Sequence, residues 1–415
     1  MRHENSVFHQ IQQPIPWSVF DRLVDEHKAD HRVRRLTTKA QFLALLFGQL
    51  SGAGSLREIE AGLSSHAARL YHVGGRPVAR ATLADANARR PADVFSKLFS
   101  HMAAHAGRRT RRHLGDSLRV LDATRVKLSS LSQGWADMIG GKHAAKLHIT
   151  YDPNADAPLS MALTGQRTND ITPAKKIAIE PGVTYVFDLG YYDFAWWARI
   201  DRAKACFVTR LKSHTIVTTA ITAKDEAGGA TKASAARRPA TVSAGRSIGL
   251  AGKAPADATA TILSDRIGHL PKRMAGSRRN PFHRQVREIT VRISTGKVIR
   301  LVTNDLDAPA QEIAGLYKQR WRIELFFKWI KQNLKIRHFL GASENAVRIQ
   351  VFVALIAYLL LRAAQACQLA ITKPLAFARL VRLNIMHRRP IDTLKRAREK
   401  PKADPSQFSL PLTGS

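Results

Sequence analysis

The sequence predicts an α/β fold with a helical N-terminal part, and three observations carry that reading. Residues 1–107 hold apolar stretches at helical spacing with capping patterns between them. From residue 117 the pattern changes to short β-branched and aromatic runs bounded by turn residues. Beyond residue 300 helical spacing returns, most clearly in LYKQRWRIELFFKWIKQNLKIRHF, residues 316–339. At 415 residues and 45% hydrophobic composition, the chain can build two or three domains around a substantial core.

The elements follow in order. AQFLALLFGQL (40–50) is an apolar helix, and SLREIEAGL (55–63) opens with a capping box from Ser55 to Glu58. After the turn VGGRP (73–77), Thr82 to Asp85 gives a second capping-box pattern. Short helices joined by glycine turns suit a helix-turn-helix module, with Arg76, Arg80, Arg89 and Arg90 as candidate phosphate contacts, although each could equally be a solvated surface residue. GRRTRRH (107–113) reads as a basic linker. SLRVLDAT (117–124) is a strand; KLHITYD (146–152) and PLSMALT (158–164) form a hairpin; TPAKKIAI (172–179) is a short helix. VTYVFDLG (183–190) and ACFVTRLK (205–212) are further strands. The Ala- and Gly-rich stretch 225–260 reads as a flexible loop, and VREITVRIS (286–294) with KVIRLVTND (297–305) as a hairpin turning at Thr295-Gly296.

Charge narrows the function. Lys and Arg number 66 against 32 acids, a net +34, and such a field favours polyanions, above all nucleic acid. The basic residues spread along the whole chain, unlike a juxtamembrane cluster, and the polar start MRHENSVFHQ does not read as a secretion signal. The longest apolar run, Val351 to Leu361, is too short to span a bilayer and fits a buried helix. Cys206 and Cys367 give neither a disulfide framework nor a zinc site, so a cytoplasmic, nucleoid-associated location is expected. His101 and His105 have the spacing of a metal pair but no carboxylate or Cys beside them, so they read as surface residues.

On one continuous helix, Tyr317, Arg320, Glu324, Lys328, Lys331 and Lys335 fall in a single narrow stripe, while Leu316, Ile323, Phe326, Phe327, Ile330 and Leu334 fill another face. A helix this apolar packs into a core and shows its polar stripe to a groove. Glu324 could be an intrahelical partner of Arg320 or Lys328. It could also belong with two other acids near strand ends, Asp122 and Asp188. Read singly, Asp122 could cap a turn and Asp188 could be a turn residue. Read together, three carboxylates beside lysines and arginines suit divalent ions, because Mg²⁺ takes hard oxygen ligands and keeps water and phosphate oxygens in its shell. Two such ions activate a water or a 3′-OH and stabilise the leaving oxygen of a phosphodiester.

The string Tyr317-x2-Arg320-x3-Glu324-x6-Lys331 resembles the signature of the insertion-sequence transposases usually called family four. DLGYYD (188–193) looks like that family's second-Asp motif and LDAT (121–124) like its first. The start, HENSVFHQIQQPIPWSVFDRLVDEHKAD, resembles the N-terminal domain of one branch. The resemblance implies an RNase H-like core in which strands one and four are neighbours, interrupted by a mainly β insertion. It implies that Asp122, Asp188 and Glu324 bind two Mg²⁺ ions, with Mn²⁺ as a substitute. By the resemblance Tyr317, Arg320 and Lys331 would contact transposon-end phosphates; the basic stripe itself adds Lys328 and Lys335 as residues that could hold the DNA backbone. The expected partners are double-stranded DNA, as terminal inverted repeats and target, and a second subunit on the paired ends, with no membrane. The expected reaction is cut-and-paste transposition through hydrolysis, hairpin formation and strand transfer.

The expected organisation is a helical DNA-binding domain (1–112), the first part of the catalytic core (113–212), an insertion (213–300), the rest of the core with C-terminal helices (301–390) and a tail (391–415). One departure from the family stands out. None of the six Trp lies within 213–300, and the only Phe there is Phe282, so Phe282 or a His would have to hold a flipped base. A decayed or inhibitory protein that only occupies transposon ends is the alternative. A junction-cutting nuclease would have no reason to keep the Tyr-Arg-Glu-Lys spacing, and a basic structural protein would not need three acids at the ends of apolar elements.

Overall fold

The computed structural model describes residues 5–111, 117–132, 134–139, 141–218, 261–273, 278–336, 339–368 and 370–396. The expected loop 225–260, the tail beyond residue 396 and the last part of the basic linker lie outside these residues. Seven helices come first: α1 (Val7–Gln12), α2 (Trp17–Glu26), α3 (Thr38–Ser51), α4 (Leu56–Ser65), α5 (Ala67–Leu70), α6 (Arg80–Arg89) and α7 (Ala92–Arg111). Thr37 caps α3 by accepting from the Ala40 N–H, and Gly52, at φ 78°, supplies the left-handed turn that ends it. The Ser55–Glu58 capping box forms: Ser55 Oγ accepts from Glu58 N at 3.1 Å, and the Glu58 carboxylate reaches back to Gly54 N at 2.8 Å.

Three expectations in this region are corrected. Helix α6 starts at Arg80, with Ala79 as an N-cap that makes no side-chain bond, so Thr82 to Asp85 is not a capping box. Asp85 pairs instead with Arg89 one turn on. The basic run from residue 107 is helical as far as Arg111, because α7 continues through it. Arg90 is no phosphate contact either. Its guanidinium donates to Ala29 O, Leu36 O, Asp30 and Thr38, tying the loop before α3 to the end of α6. Arg90→Met is expected to cost about 2 kcal/mol, as carbonyls and a half-buried carboxylate lose their donor. Chemical denaturation would read this, and DNA affinity per folded molecule should not change.

The strands are β1 (Ser117–Lys127), β2 (Met138–Ile139), β3 (Lys142–Asp152), β4 (Ala157–Gly165), β5 (Val183–Val186), β6 (Cys206–Arg210), β7 (Thr261–His269), β8 (Gln285–Arg292) and β9 (Val298–Thr303). They form one mixed sheet in the order β4–β3–β1–β5–β6–β9–β8–β7, with the short β2 pairing the start of β3. The β1–β5 and β5–β6 pairs are parallel and the others antiparallel. The strands of the expected insertion that are described, β7 to β9, thus extend the same sheet through the β6–β9 pairing. Between the strands lie α8 (Ile171–Ala174), shorter than the 172–179 helix expected because the chain turns out at Lys175–Ile177, and α9 (Phe194–Arg202).

Alternation sorts the strand residues onto two faces. Val120, Ile149, Tyr151, Val186 and Val208 join a core with the long helices, whereas Leu121, Tyr185, Phe187 and Phe207 join a second, aromatic core under α9. The C-terminal helices are α10 (Ala310–Lys318), α11 (Trp321–Asn333), α12 (Glu344–Ala366) and α13 (Pro374–Asn384). Helix α12 is long and apolar enough to cross a membrane, but it lies buried at the centre of the larger core. Helices α3, α6 and α7 pack on it, and the cluster runs without a break from Val7 to Leu394. The N-terminal helices therefore share one hydrophobic core with the C-terminal end.

Candidate active site

The β1–β5 register sets the first two acids side by side. Val120 lies opposite Val186 in a parallel pair, so Asp122 and Asp188, each two residues on, leave the sheet at the same level and on the face that carries Val120 and Val186. Asp122 is still within β1, whereas β5 stops at Val186 and Asp188 has left the expected strand. Asp188 caps a short helical turn, its Oδ1 accepting from Gly190 N at 2.8 Å.

Glu324 arrives from above that face, in the first turn of α11, whose Ile323, Phe326, Phe327 and Ile330 are buried in the larger core. The predicted continuous helix is corrected here. The chain breaks between α10 and α11 at Gln319–Arg320, where Arg320 N and Ile323 N bond three residues back. The break lets α10 bury Ile313 near β6 and β8 while α11 packs over β1. Tyr317, Arg320, Glu324, Lys328 and Lys331 still share a side. Lys335 does not: it lies beyond α11 with φ 54°, off the stripe.

Arg320 ties the acids together. Its Nη2 donates to Glu324 Oε1 at 2.6 Å, and its Nη1 lies 3.6 Å from Asp122 Oδ2. The Tyr317 ring lies beside it, 5.9 Å from the guanidinium carbon. Burial pushes the Tyr317 hydroxyl pKa up, opposed by Arg320 and Arg210. Lys331 reaches across to donate to Thr124 Oγ1, two residues past Asp122 on the same face of β1. Lys328 stays exposed. Asp122, only 17% exposed in its side chain, has its pKa pushed up to about 7. Burial is the main cause; Asp188 and Glu324 add to it, while the Ala123 N–H at 2.8 Å and Arg320 oppose it.

Three acids are thus close enough to feel one another. Among the described residues, however, no three His, Cys, Asp or Glu side chains close around one point as a finished metal shell. Arg320 stands in contact with two of them instead. The donor set fits Mg²⁺ in kind, being all hard carboxylate oxygen, with a half-buried Asp122 whose negative charge is under-compensated by Arg320 alone.

Sequence reasoning missed several neighbours. Arg210, at the end of β6, acts on Tyr317. Asp170 lies against Gly190, next to Asp188. Trp321 opens α11 half-exposed, at 50%, within four residues of Arg320 and Glu324. Helical spacing sets Trp321 beside the polar stripe and off the apolar face, but that reading gave it no role. Phe282, by contrast, packs edge-on against Phe207 in the aromatic core and cannot hold a base.

A family model described as the transposase DDE domain matches residues 113–360, and a second, described as a domain of unknown function, matches residues 3–76. The chain is 39% identical over 335 residues to "Putative transposase y4zB" of Sinorhizobium fredii, covering 79% of this chain and 85% of that one. It is 29% identical over 280 residues to "Probable transposase for insertion sequence element IS5377" of Geobacillus stearothermophilus, covering 66% of this chain and 63% of that one. Among solved structures it is similar to a piggyBac transposase synaptic complex with hairpin DNA, at 10% identity and a TM-score of 0.43, over 93% of this chain and 81% of that one. The first of these matches takes in β1, β5 and α11 together, the three elements that carry Asp122, Asp188 and Glu324, and on it and the Sinorhizobium relative the chain belongs to the DDE-domain transposase family.

Proposed function

We propose that this transposase moves its element by metal-dependent cut-and-paste chemistry, as a member of insertion-sequence family four. The observation that carries the reading is the parallel register that ends at Val120–Val186, two residues before Asp122 and Asp188, on the face where α11 delivers Glu324. The strand order β4–β3–β1–β5–β6, with β1 and β5 (the first and fourth strands once the two-residue β2 is set aside) adjacent and parallel, supports an RNase H-like core.

Asp122, Asp188 and Glu324 would hold two Mg²⁺ ions, or Mn²⁺ in their place. Bound there, the ions supply a lowered pKa for water or a 3′-OH and charge stabilisation for the departing oxygen. Opening the Arg320 contacts frees Glu324 and Asp122 for that task, and the guanidinium then turns to a DNA phosphate. Lys328 and Lys331 lie along the same helix to hold further phosphates, while Lys335, off the stripe, is left to a peripheral contact. A water attacks phosphorus and the 3′-oxygen leaves; the freed 3′-OH then attacks the opposite strand to form a hairpin. After the hairpin is reopened, the 3′-OH joins target DNA. Two subunits bring two terminal repeats together, and the N-terminal helices, with Arg76, Arg80 and Arg89 exposed, contribute to repeat binding.

Hairpin closure strains the strand and favours an extruded base, which needs a stacking surface. Trp321 offers a half-exposed ring at the start of α11, three residues before Glu324. Trp321→Ala is expected to lower hairpin formation about tenfold or more, with Trp321→Phe largely retained, as base–aromatic stacking contributes about 1–3 kcal/mol. A 2-aminopurine at the terminal position would report extrusion directly; equal signal from Trp321→Ala and wild type would remove the residue from this role.

The test of the whole reading is excision of a marker bracketed by the native flanking repeats on a donor plasmid. Mg²⁺-dependent excision supports it. Repeat binding without excision under any divalent ion would favour a protein that only occupies transposon ends.

A further inference from the structure

Gly190 follows Asp188 by two residues, and what surrounds it is informative. A β-carbon at this position would lie 3.0 Å from Asp188 Oδ1 and also 3.0 Å from Asp170 Oδ2. The two carboxylate oxygens flank one small space and are no more than about 6 Å apart, twice that 3.0 Å distance. Asp170 sits at the N-cap of α8 but makes no capping bond there, so its carboxylate is directed elsewhere. Lys146 from β3 holds it: Nζ donates to Asp170 Oδ1 at 2.9 Å and to Thr168 O at 2.8 Å. His148, two residues along the same strand and only 6% exposed, walls off that side. Its Nδ1 faces Asp170 Oδ1 at 4.0 Å and has no hydrogen-bond partner, while Nε2 hydrogen-bonds Thr164 Oγ1 at 2.8 Å.

This arrangement has a definite polarity. Oδ1 of Asp170 is occupied by Lys146 and enclosed by a buried imidazole. Only Oδ2 is left toward Asp188. Two like charges this close repel, and one lysine on the far side offsets the charge without separating them. The hydrogen bonds within the cluster explain how Asp170 is held. They do not explain why a second acid is held against Asp188, where an asparagine or a serine would fill the same space at lower electrostatic cost.

We propose that Asp170, anchored by Lys146 and seated against Gly190, is a positioning residue for Asp188. Like-charge repulsion from its Oδ2 disfavours a swing of the Asp188 carboxylate toward Asp170, and Asp170 adds a fourth negative charge that strengthens divalent-ion binding. The proposal rests on the reading of Asp188 as a metal ligand. Groups outside the ligand shell tune the affinity of a metal site, and their loss typically weakens metal binding by about 10–100-fold.

The experiment is Mn²⁺ binding to the full-length protein on repeat DNA, followed by electron paramagnetic resonance, for wild type, Asp170→Asn, Gly190→Ala and Asp188→Asn. Asp170→Asn keeps the shape and the acceptor for Lys146 but drops the charge. Its half-saturating Mn²⁺ concentration is expected to rise about tenfold, with metal-free repeat binding unchanged. Gly190→Ala places a methyl group against both oxygens and is expected to raise it as well, by forcing the carboxylates apart. It serves as the second variant should Asp170→Asn fail to fold. Wild-type Mn²⁺ binding in either folded variant, alongside loss in Asp188→Asn, would overturn the role of Asp170. Wild-type binding in Asp188→Asn itself would instead sink the ligand reading on which the proposal stands.

Discussion

Excision by the Glu324→Gln protein is expected to fall by on the order of a thousandfold, about 4 kcal/mol of transition-state stabilisation, while repeat binding stays at the wild-type level. Glutamine keeps the size of the side chain and an oxygen for Arg320 to bond, so the α10–α11 corner should hold. The Arg320–Glu324 pair is an i, i+4 contact with the glutamate a third exposed, and such pairs contribute only a few tenths of a kcal/mol to folding. Loss of folding therefore cannot account for loss of excision. The comparison also separates the two meanings of Glu324. If it were only a partner for Arg320, the substitution would leave excision within a fewfold of wild type. Excision that survives would move the chemistry away from this carboxylate, whatever the family match says.

The second large effect concerns stability. Asp156 sits at φ 50° in the β3–β4 turn, buried, and accepts hydrogen bonds from Tyr151 Oη and Tyr358 Oη. Arg362 Nη2 stands 2.7 Å from its other oxygen, with side-chain exposures of 15% for Arg362 and 5% for Asp156. The group ties the sheet hairpin to α12. Asp156→Ala would remove the carboxylate that two buried hydroxyls donate to and that pairs with Arg362, which keeps its bond to Gln365, and it would put a β-carbon with no compensating bond in a left-handed turn. A loss of about 3–5 kcal/mol is expected, the usual cost of breaking a buried charge network from one side. Chemical denaturation would measure it; a loss under about 1 kcal/mol would mean water replaces the carboxylate with little penalty. Asp156→Asn tolerates the backbone and should recover part of the difference.

The sequence was most informative where a local pattern and its tertiary use coincide. Asp122 and Asp188 stood out because each breaks an apolar run, although β1 continues past Asp122 to Lys127 and β5 stops short of Asp188. Glu324 stood out as one acid in a basic stripe. Strand pairs with short turns were also readable, since β3–β4 and β8–β9 are fixed by neighbours in the chain. What escaped depends on contacts between distant residues. The break at Gln319–Arg320 has no glycine or proline to announce it; it exists because α10 and α11 pack on different strands. Lys335 left the stripe for the same reason, as the helix ended before it. The pairing of β6 with β9 joins residues about ninety apart, and no turn signal specifies it. Arg90 looked like its exposed neighbours because composition does not distinguish an arginine that solvates from one that fastens a loop. Asp170 sat in a polar run that reads as turn.

The continuity of the core from Val7 to Leu394 also bears on how an element is controlled during protein synthesis. Ribosomes release the N-terminal helices first, yet much of the apolar surface of α3 and α7 is covered by α12, which emerges more than two hundred residues later. The acid on α11 is also made late. A nascent or prematurely terminated chain therefore carries neither the assembled carboxylate site nor stably packed N-terminal helices. Frameshifted copies should be cleared by proteases as unfolded chains and should not persist as dominant-negative repressors of intact ones.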